Sequence, residues 1–149
     1  MRPDVSIRPA AAGDLDDLLA LYRELNPADP ILSPAQADAA FQQMLTQPGL
    51  TVFVAEQDNG IVSTATLIVI PNLTRSARPY GLIENVVTLS EMRGSGLGRA
   101  VVRHAIGVGF AANCYKVMLL TGRHSEAVHR FYEGCGFVQD KTGFQIRND

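Results

Sequence analysis

The stretch Gly81-Leu82-Ile83-Glu84-Asn85-Val86-Val87-Thr88-Leu89-Ser90-Glu91-Met92-Arg93-Gly94-Ser95-Gly96-Leu97-Gly98-Arg99 decides how this chain is read. Gly81 to Thr88 has the composition of a strand: Leu82, Ile83, Val86 and Val87 are apolar, interrupted by Glu84 and Asn85. A glycine turn follows and opens a helix expected from Gly96 to Ala112. The first N–H groups of a helix have no partner inside it, and the helix dipole places partial positive charge there. Gly94, Gly96 and Gly98 allow close approach of backbone to a ligand, and Arg93 and Arg99 add full charges. The turn therefore reads either as an anion site suited to phosphate or as a tight strand-to-helix connection with no ligand. It is not a Walker A loop, because no Lys-Ser or Lys-Thr follows the glycines. It is a poor dinucleotide-binding fingerprint, because no acidic residue stands near position 114 to hold a ribose.

Working outward toward the N-terminus, Pro71 to Pro79 is polar and irregular and carries Arg75 and Arg78. Before it, Leu50 to Glu56 and Ile61 to Ile70 flank Asp58-Asn59-Gly60, the signature of a tight hairpin. Ser33-Pro34, an N-cap followed by proline at the first helical position, opens a helix to about Leu45. Leu15, Leu18, Leu19, Leu21, Tyr22 and Leu25 recur at helical spacing behind Asp14, read as the cap. Val5 to Arg8 alternates as a first strand. Toward the C-terminus, Tyr115 to Thr121 suits a buried strand and Ser125 to Cys135 a helix. A strand is expected from Gly136-Phe137 and a last one over Phe144 to Arg147. The order β-α-α-β-β-β-α-β-α-β-β predicts an α/β fold with one mixed sheet: antiparallel hairpins first, then a strand–helix–strand crossover. No linker divides the chain, so residues 1–149 are expected to form a single domain.

Bulk properties narrow the function. Apolar residues are 46% and charged residues 19% of the 149, a globular composition. A net charge of −2 argues against nucleic acid as the main partner, which needs basic surface. No apolar run is long enough to span a bilayer, and Met1-Arg2-Pro3-Asp4-Val5 lacks the apolar core of a leader peptide. A cytoplasmic location is the expectation. Cys114 and Cys135 have neither CxxC nor Cys/His spacing, so reduced structural thiols and no metal are expected.

The residues also carry a resemblance. Arg93-x-x-Gly96-x-Gly98 resembles the Arg/Gln-x-x-Gly-x-Gly/Ala signature of the GNAT superfamily of N-acetyltransferases. Ile83 to Thr88 looks like that family's fourth strand, and Ala127 to Phe137 like its later A-x-x-x-[FL]-Y-x-x-x-G-F element. Ile7-Arg8-Pro9-Ala10 before an Asp-rich helix start is also typical. The match spans nearly the whole chain in order. It implies a GNAT-like fold with splayed central strands and acetyl-CoA as co-substrate. The pyrophosphate would meet Arg93, Gly94, Ser95, Gly96, Leu97, Gly98 and Arg99. Backbone groups of Val86, Val87 and Thr88 would hold the pantetheine and acetyl carbonyl. The acetyl group would pass directly to an acceptor, a primary amine of a small molecule, with acetylation of a protein amine or a weakly catalytic acetyl-CoA sensor as alternatives. Ile83-Glu84-Asn85-Val86-Val87 is most similar to the glucosamine-phosphate acetyltransferases within the superfamily. Many members place Asn seven residues before the family tyrosine; here Ser125 stands there, and a weaker cofactor contact is implied. Paired C-terminal strands often make such proteins homodimers.

The candidate chemistry follows from the reaction. An amine attacks a thioester only as the free base, and with an ordinary pKa near 10.4 roughly one molecule in a thousand is ready at neutral pH. Glu84, the only ionisable side chain among residues 82–87, is the candidate base, with burial expected to tune it; a structural carboxylate is the other reading. Tyr132 is the candidate acid beside the leaving sulfur, or else a core tyrosine packed near Phe131 and Phe137. A bulge near Val86 or Val87 would aim an N–H at the carbonyl oxygen. Asn85 either binds acceptor or water or faces outward, and Arg75 and Arg78 either bind an anionic acceptor or are solvated loop charges. His104, His124 and His129 form no ligand set.

Overall fold

The computed structural model describes residues 4–149. Met1 to Pro3, part of the stretch read for a leader, lie outside the described residues. The elements are β1 (Val5–Pro9), α1 (Leu15–Leu25), α2 (Pro34–Thr46), β2 (Leu50–Gln57), β3 (Gly60–Ile70), α3 (Thr74–Ala77), β4 (Tyr80–Thr88), α4 (Leu97–Ala111), β5 (Val117–Met118) and α5 (Glu126–Gly134). Single 3-10 turns precede α1 at Ala12–Asp14 and α4 at Ser90–Met92.

The strands lie in sequence order in one sheet, β1-β2-β3-β4-β5. All neighbours are antiparallel except β4 and β5, which are parallel. The mixed sheet expected from the hairpin-then-crossover order is therefore present. Asp58 and Asn59 adopt φ of 52° and 63° and let β2 turn directly into β3, with Gln57 opposite Gly60. Ser33 accepts a hydrogen bond from the Gln36 N–H, and Gln36 returns one from the Ser33 N–H, a complete capping box for α2. Asp14 departs from its expected role. Its carboxylate accepts from the Ala11 N–H and from Arg8 instead of capping α1, because a bidentate arginine fork outcompetes a helix end.

Two apolar clusters cover the two sheet faces. Leu18, Leu21 and Phe41 of α1 and α2 pack on Val52, Val54 and Val87. Val101, Val102 and Ala105 of α4 pack on Phe53, Ala65, Leu67 and Ile83. The periodicity of α1 is thus a single stripe aimed at the sheet.

The C-terminal region departs from expectation. The strand expected over Tyr115 to Thr121 shrinks to Val117–Met118, with pairs only at Gly81–Val117 and Leu82–Met118. Among the described residues no strand follows α5, so neither the strand at Gly136-Phe137 nor that over Phe144 to Arg147 forms. Phe144 is 91% exposed and Ile146 99%. A two-residue strand offers too short a ladder for another to pair with, and apolar alternation alone leaves backbone groups unsatisfied.

Candidate active site: a bulged strand beside a glycine turn

The site begins where β4 leaves both neighbours. Thr66 of β3 pairs with Glu84, but Thr64 pairs with Val87, so the single residue Ala65 faces Asn85 and Val86 together. This is a β-bulge, and Asn85 absorbs it with φ of 53°. Asn is one of the few residues that tolerates this region, which explains its place in an apolar strand. The bulge shifts side-chain alternation: Ile83 and Val86, three apart, both pack toward α4, whereas Val87 turns toward α1. It also takes backbone groups of residues 85 and 86 out of the ladder, where they can serve a ligand. On the other edge β4 and β5 separate after the Leu82–Met118 pair. The splay expected of the central strands is thus a direct result of the short β5.

The opening is a cleft of about 1010 Å³. Glu84, Asn85, Val86, Val87 and Thr88 line one side, and Arg93, Gly94, Gly96, Leu97, Gly98 and Arg99 close one end. Phe131 and Tyr132 of α5 line it as well. The candidate proton carriers and cofactor contacts therefore meet in one place, with two exceptions. Ser95 folds back so that its hydroxyl bonds the Met92 carbonyl. Ser125 caps α5 by accepting from the Val128 N–H at 3.3 Å, and neither serine lines the cleft. Arg75 and Arg78 lie elsewhere: Arg78 donates to the carbonyls of Asn113 and Cys114, and Arg75 sits over the Tyr115 ring at 5.5 Å. Arg123, Arg130 and Arg147 line the cleft and were not singled out from the sequence. They lie far from the glycine motif in sequence, and only the fold brings them to the cleft, where Arg130 pairs with Glu126 and Arg147 with Asp149 at 3.6 Å each.

The turn is shaped for close contact. Gly94 and Gly96 have φ of 78° and 88°, and a Cβ on either would meet nothing within 4 Å, so the space above them is open. Gly98 is different, since a Cβ there would lie 2.8 Å from the Thr88 hydroxyl and 3.4 Å from the Phe131 ring. Thr88 is itself fixed by a 2.7 Å hydrogen bond with the Ser63 hydroxyl, and its carbonyl accepts from Arg93 Nε at 3.2 Å. The N-terminus of α4 thus abuts β4 with no intervening side chain, leaving its first N–H groups facing the cleft.

Electrostatics separates the two candidate proton carriers. Glu84 is exposed in the mouth of the cleft, so the expected burial of its carboxylate does not occur. Tyr132 is half-buried, stacked edge-on against Phe131 at 5.0 Å and Phe137 at 6.1 Å. Burial pushes its phenol up; Cys135 and Glu84 push the same way, and Arg123 opposes them. The phenol therefore holds its proton at neutral pH. Among the described residues, no cluster of three His, Cys, Asp or Glu side chains is arranged to hold a metal ion.

A long apolar-walled cleft with a glycine-lined, arginine-flanked end fits an elongated thioester carrying a pyrophosphate. Comparison with known proteins agrees. The profile of the acetyltransferase (GNAT) family matches residues 18–137. A glucosamine 6-phosphate N-acetyltransferase of Trypanosoma brucei brucei is 33% identical over 134 residues, covering 90% of this chain and 89% of that protein. The solved structure of an acetyltransferase described as putative, from Agrobacterium tumefaciens, is 65% identical and superposes with a TM-score of 0.94, covering 96% of this chain and 99% of that one. An aminoglycoside N-acetyltransferase solved with CoA shares the fold at a TM-score of 0.83 and 17% identity, covering 99% of this chain and 97% of its own. The chain belongs to the acetyltransferase (GNAT) family and is an N-acetyltransferase that uses acetyl-CoA as co-substrate.

Proposed function

We propose that residues 1–149 act as one catalytic domain that acetylates the primary amine of a small amino sugar phosphate in the cytoplasm. The observation that carries this reading is that Glu84, next to the bulge at Asn85, and Tyr132 line the same cleft. Acetyl-CoA supplies a thioester whose carbonyl carbon accepts the amine. Glu84, open to solvent, takes the amine's proton directly or through water. The N–H of Val86, freed by the bulge, stabilises charge on the carbonyl oxygen. Tyr132 keeps its proton through burial and delivers it, or a hydrogen bond, to the departing sulfur. The N–H groups at Gly94 to Gly98, with Arg93 and Arg99, hold the pyrophosphate, and Val86, Val87 and Thr88 hold the pantetheine. Ser125 serves mainly as the cap that orients α5, and so Tyr132.

The amino sugar phosphate rests on the similarity to glucosamine 6-phosphate N-acetyltransferases. Arg123 in the cleft lining supports an anionic acceptor, with Arg130 and Arg147 beside it each already paired with a carboxylate. The exposed, alternating Phe144 and Ile146 support a homodimer in which a second copy covers them. Reduced Cys114 and Cys135, both buried, suit a reducing compartment.

A thiol-release assay with acetyl-CoA and a panel of amines tests the reading. Turnover is expected with glucosamine 6-phosphate, and Glu84→Gln should slow it about 100-fold or more. An unchanged rate in that variant removes Glu84 as base.

A further inference from the structure

The charged side chains lining the cleft are Glu84, Arg93, Arg99, Arg123, Arg130 and Arg147. Three of the arginines are already engaged. Arg93 Nε donates to the Thr88 carbonyl, Arg130 pairs with Glu126, and Arg147 pairs with Asp149. Arg99 stands in the first turn of α4, beside the glycines. Arg123 is the remaining cation. It is exposed, and among the described residues its guanidinium makes no ion pair and no hydrogen bond. The backbone beneath it is nevertheless fixed. Its N–H donates to the Thr121 hydroxyl at 3.2 Å, and two residues further on Ser125 caps α5. The loop from β5 to α5 thus presents one unengaged guanidinium from an anchored main chain.

The charge of Arg123 also falls at the reacting end of the cleft. Burial and Cys135 push the Tyr132 phenol up, Arg123 opposes them, and Glu84 adds to the rise. Arg99 acts elsewhere: with Arg103 it opposes the burial that raises the Cys135 thiol. The Tyr132 hydroxyl therefore lies in the field of one cation and one carboxylate, Arg123 and Glu84, which form no ion pair with each other. A carboxylate and a separate guanidinium around one centre complement a molecule that carries an amine at one position and an anion at another. The arginines of the loop before β4 offer no such site, since Arg78 donates to the Asn113 and Cys114 carbonyls and Arg75 sits over the Tyr115 ring.

We propose that Arg123 binds the phosphate monoester of the acceptor and so sets the preference for a phosphorylated over an unphosphorylated amine. The guanidinium fork meets two phosphate oxygens at once, and Glu84 is left to face the amine. Arg123 is a specificity-determining residue and carries no proton in the reaction. The inference rests on the reading of the acceptor as an amino sugar phosphate.

The test uses the full chain with acetyl-CoA and two acceptors, glucosamine 6-phosphate and glucosamine. The wild type is expected to favour the phosphorylated amine in kcat/KM. Arg123→Gln should reduce that preference about 10- to 100-fold, through the KM for glucosamine 6-phosphate, with the KM for acetyl-CoA unchanged. Arg123→Lys keeps the charge without the fork and should recover part of the preference. Calorimetric titration of glucosamine 6-phosphate into the CoA-loaded protein should show affinity weakened by the same factor in Arg123→Gln, without any turnover. An unaltered preference in that variant overturns the assignment. So does a loss confined to the KM for acetyl-CoA, which makes Arg123 a cofactor contact, or a fall in kcat shared equally by both acceptors, which ties it to Tyr132 alone. A wild type that acetylates both amines equally well removes the amino sugar phosphate reading itself, and the assignment with it.

Discussion

Gly98 and Thr88 stand so close that a Cβ on the first would sit 2.8 Å from the hydroxyl of the second. The contact joins the start of α4 to the end of β4, the two elements that bring the glycine turn beside the bulge. Gly98→Ala would ordinarily stabilise a helix by lowering unfolded-chain entropy. Here it should cost about 1–3 kcal/mol by overpacking and weaken acetyl-CoA binding. Thr88→Ala in the same chain should recover part of both losses. Thermal denaturation with titration of acetyl-CoA checks this, and a stabilised Gly98→Ala protein would contradict it.

Asn85 holds the bulge with a positive φ. Asn85→Gly keeps that conformation available and should retain fold and turnover, whereas Asn85→Val should cost on the order of 1–3 kcal/mol in backbone strain. The valine variant should also lose kcat disproportionately, because relaxing the bulge returns the backbone of residues 85 and 86 to the ladder. Steady-state kinetics on the two variants separates loss of the bulge from loss of the amide side chain.

Tyr132→Phe preserves the edge-on stacking with Phe131 and Phe137 and removes only the hydroxyl. Turnover should fall by roughly 100-fold as for loss of a general acid, with the acetyl-CoA KM nearly intact. Equal losses in binding and rate would make the tyrosine a packing residue.

Arg8 binds Asp14 through Nη1 at 2.8 Å and Nη2 at 3.0 Å, and Glu56 through Nε at 3.0 Å. The Arg8 fork holds the Asp14 carboxyl below its ordinary value, and the Ala11 N–H adds to this against the cost of burial. Because the folded value is depressed, this contribution is present above the ordinary aspartate pKa and disappears as pH falls through the folded one. Asp14→Asn should cost about 1–3 kcal/mol at neutral pH. It should also flatten the loss of stability below about pH 4. Urea unfolding at several pH values reads both effects.

Phe144 and Ile146 stand two residues apart in a segment that is neither helix nor strand and are almost fully exposed. Replacing both with serine should shift the proposed homodimer toward monomer in analytical ultracentrifugation while leaving the melting temperature of the monomer unchanged. A wild-type protein that sediments as a monomer at high concentration removes the dimer.

The sequence alone determined the elements with strong local signals. Asp58-Asn59-Gly60 specified its hairpin because few residues accept two positive φ values in succession. Ser33-Pro34 specified the start of α2, and the glycines from Gly94 to Gly98 specified the turn into α4, because caps and turns are set by neighbours in sequence. Glu84, Tyr132 and the turn residues other than Ser95 line one cleft, but motif resemblance and reaction logic, not a local folding signal, single them out as candidates. Tertiary structure alone decided what depends on long-range partners. The bulge exists only through the mismatch of Thr64 and Thr66 with Val87 and Glu84, and the cleft only because β5 stops after Met118. Asp14 left its cap for Arg8, Ser125 took up a cap, and Glu84 stayed exposed, because hydrogen-bond competition and solvent access are properties of the packed chain. The apolar alternation of Phe144 and Ile146 suggested a strand that does not form in the single chain, since a strand needs a neighbouring ladder that the residues themselves do not encode.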